Sequence, residues 1–168
     1  MAKKIVDQLK ALHYDAELLV PEDQDISLAS RVNRVNTWCK KLGTRNVILV
    51  SIHSNALGYG NEWFPKANYW TVWTTVGKTN SDKLADYLWE ACKKEMPDKK
   101  FGKDTKDGDV DYESNFYIIK KSMCPAVLTE NFFYTCKENL DFLTTDEGRQ
   151  KIADGHVKGI INYLKSRN

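Results

Sequence analysis

The sequence predicts a single α/β domain of three layers, with helices on both faces of a mostly parallel central sheet. Amphipathic helical patterns alternate along the chain with short apolar runs, as in α/β proteins. Residues 46–53 form one such run, rich in β-branched side chains, which is typical of a strand buried on both faces. With 168 residues, of which 42% are hydrophobic and 29% charged, the chain suits one soluble domain with a sizeable core.

Five helices are predicted from the spacing of apolar residues. The first opens the chain at residues 1–12, with Ile5 and Leu9 on one side and no capping residue ahead of it. Gly43 is predicted to end the second helix as its C-cap. The later helices are expected at about residues 27–42, 81–96, 138–143 and 145–165.

Five strands are predicted between these helices. They are expected at residues 14–20, 46–53, 69–75, 116–119 and 126–130. Residues 99–114 are polar and contain two glycines, which indicates a long surface loop. The sequence contains no internal repeat or linker, so residues 1–168 are expected to form one domain.

Composition and charge exclude several classes of protein. The formal net charge is only +2 and Lys and Asp are interspersed, so no nucleic-acid partner is expected. No apolar run reaches the length of a membrane span and no signal peptide opens the chain, which predicts synthesis in the cytoplasm and no membrane partner. The four cysteines lie far apart without a C-x-x-C pair, which favours free thiols over a thiolate zinc cluster.

Two predicted strands end in a side chain that could carry chemistry, His53 and Glu130. Sites in open α/β sheets collect beyond the carboxyl ends of strands. A carboxylate at the end of an apolar strand is costly to bury unless it is paired or near a metal, and a histidine there is a good metal ligand or proton carrier. Position alone favours a functional role only slightly over a structural histidine and a glutamate satisfied by nearby backbone.

The residues around both side chains carry a resemblance to a known family. Residues 51–56, Ser-Ile-His-Ser-Asn-Ala, resemble the S-I-H-x-N-A signature of the amidase-3 family of zinc-dependent N-acetylmuramoyl-L-alanine amidases. Residues 124–133 resemble the P-A-V-L-x-E-x-x-F segment that carries the family's catalytic glutamate. Residues 27–36, 81–85 and 155–164 are similar to helices of the family in the same order, so the resemblance covers nearly the whole chain.

This resemblance implies a peptidoglycan hydrolase that cleaves the amide bond between N-acetylmuramic acid and L-alanine of the stem peptide. His53 would be one Zn²⁺ ligand, and Glu130 would be the general base. Zinc lowers the pKa of a bound water and polarises the scissile carbonyl, while a neighbouring carboxylate takes the proton of that water. Peptidoglycan or a muropeptide would be the substrate, and the protein would act at the cell wall after secretion or lysis.

The family's other two zinc ligands have no counterpart in this sequence. They are a histidine in a G-H-G turn after the first strand and a glutamate near the start of the next helix. Residue 1 falls inside what resembles that helix, so we expect an N-terminally truncated catalytic domain that binds zinc weakly or not at all and shows little amidase activity. His13 is expected at the wrong edge of the sheet and His156 is expected to pack within the last helix. A missing first strand would leave a sheet edge open, which would allow a homodimer.

Further residues are predicted to bind substrate. Trp63 and Phe64 lie in a glycine-flanked loop near His53, and aromatic rings offer sugars a broad apolar surface. Asn55 and Asn131 are predicted to orient polar groups around the site. Two other functions stay open: a catalytically impaired muropeptide-binding module, favoured by the missing ligands, and a zinc peptidase acting on cell-wall peptides.

Overall fold

The computed structural model describes residues 1–106 and 108–167, and it confirms the predicted α/β architecture. The described residues form six α-helices and five β-strands, which are interspersed along the chain. In chain order they are α1 Ala2–Ala11, α2 Leu28–Leu42, β1 Leu49–Asn55, β2 Tyr69–Thr74, α3 Asn80–Glu95, β3 Lys100–Phe101, β4 Tyr112–Glu113, α4 Tyr117–Lys121, β5 Ala126–Phe133, α5 Lys137–Thr144 and α6 Asp146–Lys165.

The sheet is mixed but mostly parallel, with β5 at its centre. β1 pairs with β5 in parallel, and β5 pairs with β2 in the antiparallel sense. The far edge of β2 pairs in parallel with β3 over one half of its length and with β4 over the other. β5 is buried along most of its length because it has neighbours on both edges and helices on both faces, as its apolar sequence predicts.

Helices cover both faces of the sheet and form two separate cores. On one face, α1, α3 and α6 pack over Trp70, Val72 and Val127. On the other, α2 and α4 pack over Leu49 and Leu128. A smaller cluster near α5 fills the corner where β5 ends. The predicted three layers are therefore present.

The pairing of α3 with α6 requires two glycines at its contact. A Cβ added to Gly155 would lie 2.9 Å from the Cα of Cys92, and one added to Gly159 would lie 2.8 Å from the Cα of Leu88. Both distances are too short for any side chain. The glycines therefore let the two helices approach closely, which brings α6 within reach of the back of the central strand.

Three predicted elements differ from the structure. Residues 14–20 form no strand, because no strand of the described sheet pairs with them. Residues 117–121 form the short helix α4 instead of a strand, since both Ile118 and Ile119 are buried against the α2 side of the sheet and a strand would turn one of them away. The surface loop at residues 99–114 contains β3 and β4, which pair with β2.

Two further expectations can be compared with the structure. All four cysteines are free and buried, as predicted. Within the described residues, no helix is both long and apolar enough to cross a membrane.

Candidate functional site

The structure places His53 and Glu130 side by side at the carboxyl end of two neighbouring strands. The two residues are direct partners in the parallel pairing of β1 with β5. Neighbouring strands lie about 4.8 Å apart, and partners in a parallel pair point to the same face. The shared sheet edge expected from the sequence is therefore observed.

The face of the sheet that carries these two residues is lined by polar groups and one tryptophan. Ser51, two residues before His53, lies with its Oγ 3.1 Å from His53 Nε2. On the other side of Glu130, its antiparallel partner is Thr71 of β2. The Thr71 hydroxyl accepts a hydrogen bond of 3.0 Å from Nε1 of Trp73. Glu130 on β5 thus lies between His53 on β1 and Thr71 on β2.

Glu130 combines partial burial with an unsatisfied oxygen. Its Oε2 is buried and has no hydrogen-bond partner among the described residues. Burial raises the pKa of this carboxyl to about 7, because the charged form loses solvation. A carboxyl whose pKa lies near neutral pH is well suited to accept a proton and then to return it.

His53 is held in the neutral form by its surroundings. Partial loss of solvation, followed by the nearby positive charge of Arg31, lowers the pKa of the imidazole, although the residue as a whole remains exposed. Arg31 lies on α2, where Asp25 pairs with its guanidinium and the carbonyl of Ile26 accepts from its Nε at 3.1 Å. A neutral imidazole is the form that binds metals or accepts protons.

Arg31 and Thr71 belong to the surroundings of the site but were not among the predicted site residues. For Arg31 a sequence signal existed, because it lies in the segment 27–36 that resembles a family helix. For Thr71 there was none, since its position opposite Glu130 depends on the register of two strands that are distant in sequence.

A β-bulge follows the two site residues. His53 is paired with Glu130, but Asn55 is paired with Phe133, so β5 contains one residue more than β1 over this stretch. Phe132, inside the bulge, has a φ of 63° and is fully buried. Beyond the bulge, Tyr134 N–H donates to the Asn55 carbonyl at 2.9 Å. Bulges next to active sites re-aim side chains and end strand pairing.

The four residues predicted to bind substrate are placed differently from one another. Trp63 is 57% exposed and lines a small pocket of about 160 Å³ beside Tyr134. Phe64 is partly buried against Phe133 and shapes the loop. Asn55 is half-buried, and its Oδ1 accepts from the backbone N–H of the next residue at 2.8 Å.

Asn131 does not face the site. It is fully buried and its side chain points to the opposite face of the sheet from Glu130, because neighbouring residues of a strand alternate. Its Nδ2 donates to the His53 carbonyl at 2.9 Å, and its Oδ1 accepts from Nε1 of Trp70 at 2.7 Å. The structure therefore gives Asn131 contacts within the protein instead of the substrate contact that was predicted.

The described residues do not complete a zinc site of the kind expected. A catalytic zinc usually has three protein ligands, and within residues 1–106 and 108–167 no group of three His, Cys, Asp or Glu side chains could hold a metal ion. His53 is the one imidazole beside Glu130. His156 is buried, with Thr129 and the Ile152 carbonyl bonded to its two ring nitrogens. The expectation that His156 packs structurally agrees with these contacts.

Glu130 is expected to make the folded protein less stable as the pH rises. Its pKa is about 7 when folded against an ordinary value of 4.5, so the folded state holds the proton more tightly. The stability present below about pH 4.5 is therefore lost as the pH rises through about 7. Replacing Glu130 by Gln should raise the free energy of unfolding at pH 8 by about 1–2 kcal/mol, after allowance for partial exposure, and change it little at pH 4.

Urea unfolding at both pH values measures this effect. The matched control is Glu62→Gln, which removes an exposed carboxylate from a loop. Equal changes at pH 4 and pH 8 for Glu130→Gln would contradict the assigned burial of this charge.

Fold and site together define an α/β protein with a poised carboxyl beside an imidazole at the carboxyl end of its central strands, the layout of a hydrolytic domain. Comparison with known proteins identifies the family. The chain belongs to the Amidase_3 family, N-acetylmuramoyl-L-alanine amidase, whose profile matches residues 1–162. The resemblance stated from the sequence is thereby confirmed.

Individual relatives agree with this family. The chain is 27% identical over 167 residues to an endolysin of Bacillus phage SPP1, covering 96% of this chain and 56% of the endolysin. It is 29% identical over 139 residues to the N-acetylmuramoyl-L-alanine amidase CwlM of Bacillus licheniformis, covering 82% of this chain and 46% of that protein. The chain thus spans about half the length of these relatives.

The same fold occurs in a solved structure, that of an N-acetylmuramoyl-L-alanine amidase from Clostridium difficile 630. The TM-score is 0.81 at 24% sequence identity, and the match covers 99% of this chain and 81% of that one. This likeness shows a shared fold.

Proposed function

We propose that this domain is a peptidoglycan hydrolase that cleaves the amide bond between N-acetylmuramic acid and L-alanine, with Glu130 as its general base. The observation that carries the proposal is the buried, unpartnered Oε2 of Glu130, held next to His53 at the end of the central strands. Membership of the amidase family supplies the bond that is cut.

The chemistry assigned to this chain depends on Glu130 and the water that it can activate. Its carboxylate accepts a proton from a water molecule as that water attacks the scissile carbonyl. The same carboxyl then donates the proton to the departing amine of L-alanine. Because burial raises its pKa to about 7, both halves of this cycle are accessible near neutral pH. His53 presents a neutral imidazole to the same space.

Zinc would polarise the carbonyl and acidify the water in a complete site of this family. His53 is the residue of this chain proposed as a zinc ligand. The described residues provide no full set of three donors around it, so no catalytic step of this chain is assigned to the metal.

The substrate is proposed to extend from Glu130 toward the loop that carries Trp63. This ring is exposed at a small pocket and offers an apolar surface to a sugar. Asn55, whose Oδ1 accepts from the backbone N–H of Ala56, is proposed to orient polar groups of the substrate, and Phe64 holds the shape of the loop that carries Trp63. Together, these residues are proposed to bind peptidoglycan at the cell wall.

Product analysis on purified peptidoglycan tests the proposal. The protein is incubated with intact sacculi, and the released fragments are separated and identified by mass spectrometry. An amidase leaves stem peptides with a free L-alanine amino terminus and muramic acid with a free lactyl carboxyl group. These two products, appearing in equal amounts, are the expected result.

The two other functions give different outcomes in the same assay. A peptidase would release new amino termini within the stem peptide and leave the muramyl amide intact. A binding module would co-sediment with the sacculi without releasing fragments. Either outcome would overturn the proposal.

We also propose that the open edge of β1 supports self-association. In the described sheet β1 lies at one end, with no partner on its outer side. A groove of about 640 Å³ runs along this edge, lined by apolar residues of α1, α2 and α6 that include Leu9, Trp38 and Leu164. An unpaired strand edge between apolar walls is a template for pairing with a second copy.

Light scattering across a range of protein concentrations measures this association. A concentration-dependent dimer is expected, and Leu42→Lys should weaken it at least severalfold, because Leu42 lines the groove and is 52% exposed. Leu57→Lys is the matched control, since Leu57 is similarly exposed but does not line the groove. A monomer at every concentration would contradict the proposal.

A further inference from the structure

A chain of buried hydrogen bonds runs behind the site, on the face of the sheet opposite Glu130. It begins on α6, where Nδ1 of His156 donates to the carbonyl of Ile152 at 2.7 Å. With that tautomer, Nε2 of His156 accepts from the hydroxyl of Thr129 at 3.0 Å. The Thr129 oxygen in turn accepts from Nδ2 of Asn131 at 3.3 Å. All three side chains are buried.

Asn131 is the branching point of this series of hydrogen bonds. The second hydrogen of its Nδ2 goes to the carbonyl of His53 on β1, at 2.9 Å. Its Oδ1 accepts from Nε1 of Trp70 on β2, at 2.7 Å. One amide group therefore connects β1, β5 and β2, and through Thr129 it connects them to α6. Both of its donors are used, so the amide has one orientation.

The position of Asn131 explains what these bonds hold in place. It follows Glu130 directly and lies inside the β-bulge, where the regular ladder between β1 and β5 is interrupted. The bond from Asn131 to the His53 carbonyl bridges that interruption from the back of the sheet. The next residue, Phe132, adopts a left-handed φ of 63°, a conformation that a bulky side chain keeps only when its surroundings impose it.

Simple packing does not account for this group of residues. A buried amide, hydroxyl and imidazole are costly to remove from water unless every hydrogen bond is made, whereas apolar side chains would fill the same space without that requirement. Burial lowers the pKa of His156 to about 4, so it stays neutral and keeps the same tautomer over the working pH range. Each hydrogen bond in this buried series therefore has a fixed donor and a fixed acceptor.

We propose that Asn131, oriented by Thr129 and His156, is a positioning residue that locks the ends of β1 and β5 so that His53 and Glu130 stay side by side on the same face of the sheet. The inference rests on the proposed function of Glu130. It adds to that function the residue, Asn131, that holds Glu130 beside His53. Asn131 itself does not contact substrate, because it is buried on the other face.

The test uses two isosteric variants, Asn131→Asp and Thr129→Val, and compares two backbone amides of the same strand pair. The amide of Tyr134 bonds to the Asn55 carbonyl just beyond the bulge, and the amide of Leu49 bonds to the carbonyl of residue 125 at the opposite end. Hydrogen exchange monitored by NMR reports on both. In each variant the exchange of Tyr134 should accelerate about tenfold relative to that of Leu49.

Turnover and rescue provide the second readout. When cleavage of purified peptidoglycan is measured, Thr129→Val should lower kcat about tenfold and leave KM nearly unchanged, because the base is misaligned but the substrate surface is untouched. Thr129→Ser keeps the hydroxyl and should restore both kcat and the slow exchange of Tyr134. Thr129→Val keeps the shape and volume of the side chain, so it remains informative if Asn131→Asp does not fold.

The outcomes separate this inference from the proposed function. If exchange accelerated equally at both amides, or at neither, these hydrogen bonds would only stabilise the core in general, and the inference would be overturned. Normal kcat despite local opening at Tyr134 would also overturn it. Absence of hydrolysis by the unmodified protein would instead remove the proposed function and with it the catalytic half of the inference, whatever the exchange data show.

Discussion

Replacement of Glu130 by glutamine is expected to slow cleavage of the muramyl–L-alanine amide by about 10²–10⁴-fold, the usual contribution of a general base. Glutamine keeps the shape of the side chain but cannot accept the proton of the attacking water. Folding should survive, because the substitution removes a partly buried charge that has no hydrogen-bond partner on Oε2 in the described structure. Initial rates of product release from peptidoglycan measure the effect.

The control for this substitution is Glu90→Gln, which removes an exposed carboxylate from α3. It changes the net charge equally and should leave the rate within about twofold of the unmodified protein. If Glu130→Gln retained as much activity as Glu90→Gln, the assignment of Glu130 as the base would fail.

Zinc is expected to bind this chain weakly, with a dissociation constant of at least about 10 µM, against the far tighter binding of complete structural sites. The reason is the donor set: His53 is a single imidazole, and within the described residues no cluster of three metal-binding side chains exists. Metal analysis after dialysis and calorimetric titration with zinc measure the stoichiometry and the affinity.

Two histidine variants show where any zinc binds. His53→Ala should abolish the weak binding if the site beside Glu130 is responsible. His13→Ala, at an exposed position after α1, should leave it unchanged. Stoichiometric binding below 1 µM by the unmodified chain would mean that other residues complete the coordination (an outcome that the donor count contradicts).

The helices show how far local signals carry. Ser27 was expected to begin α2, and its Oγ accepts from the backbone N–H of Ser30 at 3.1 Å. Gly43 was expected to end it, and it does so with a φ of 90°. Caps and 3.6-residue periodicity act within a few residues of each other, so they are visible in the sequence without knowledge of the rest of the chain.

The strands show where local signals stop. Residues 14–20 have the composition of a strand but form none, since a strand exists only when another segment pairs with it. Residues 116–119 also look like a strand, and the burial of both Ile118 and Ile119 makes their segment a helix. Strand propensity mostly reflects the neighbours that a segment meets in the folded protein.

The candidate site divides in the same way. The sequence alone placed His53 and Glu130 at the ends of apolar strands, because apolar runs that end in polar groups mark the edge of a buried sheet. It also identified the family through short motifs in a fixed order. It also predicted that Asn131 orients polar groups around the site.

Only the tertiary structure decided which face each of these residues occupies. Side chains alternate along a strand, so Glu130 lies on the same face as His53 and Asn131 faces the core on the other side. The bulge after Glu130 and the bonds from Asn131 to His53 and Trp70 depend on the register between strands separated by about 60–80 residues. The sequence by itself determined five of the six described α-helices, the places of His53 and Glu130 near the ends of two strands, and the family. Register and pairing are long-range, so the raised pKa of Glu130 and the buried chain behind it came from the folded structure.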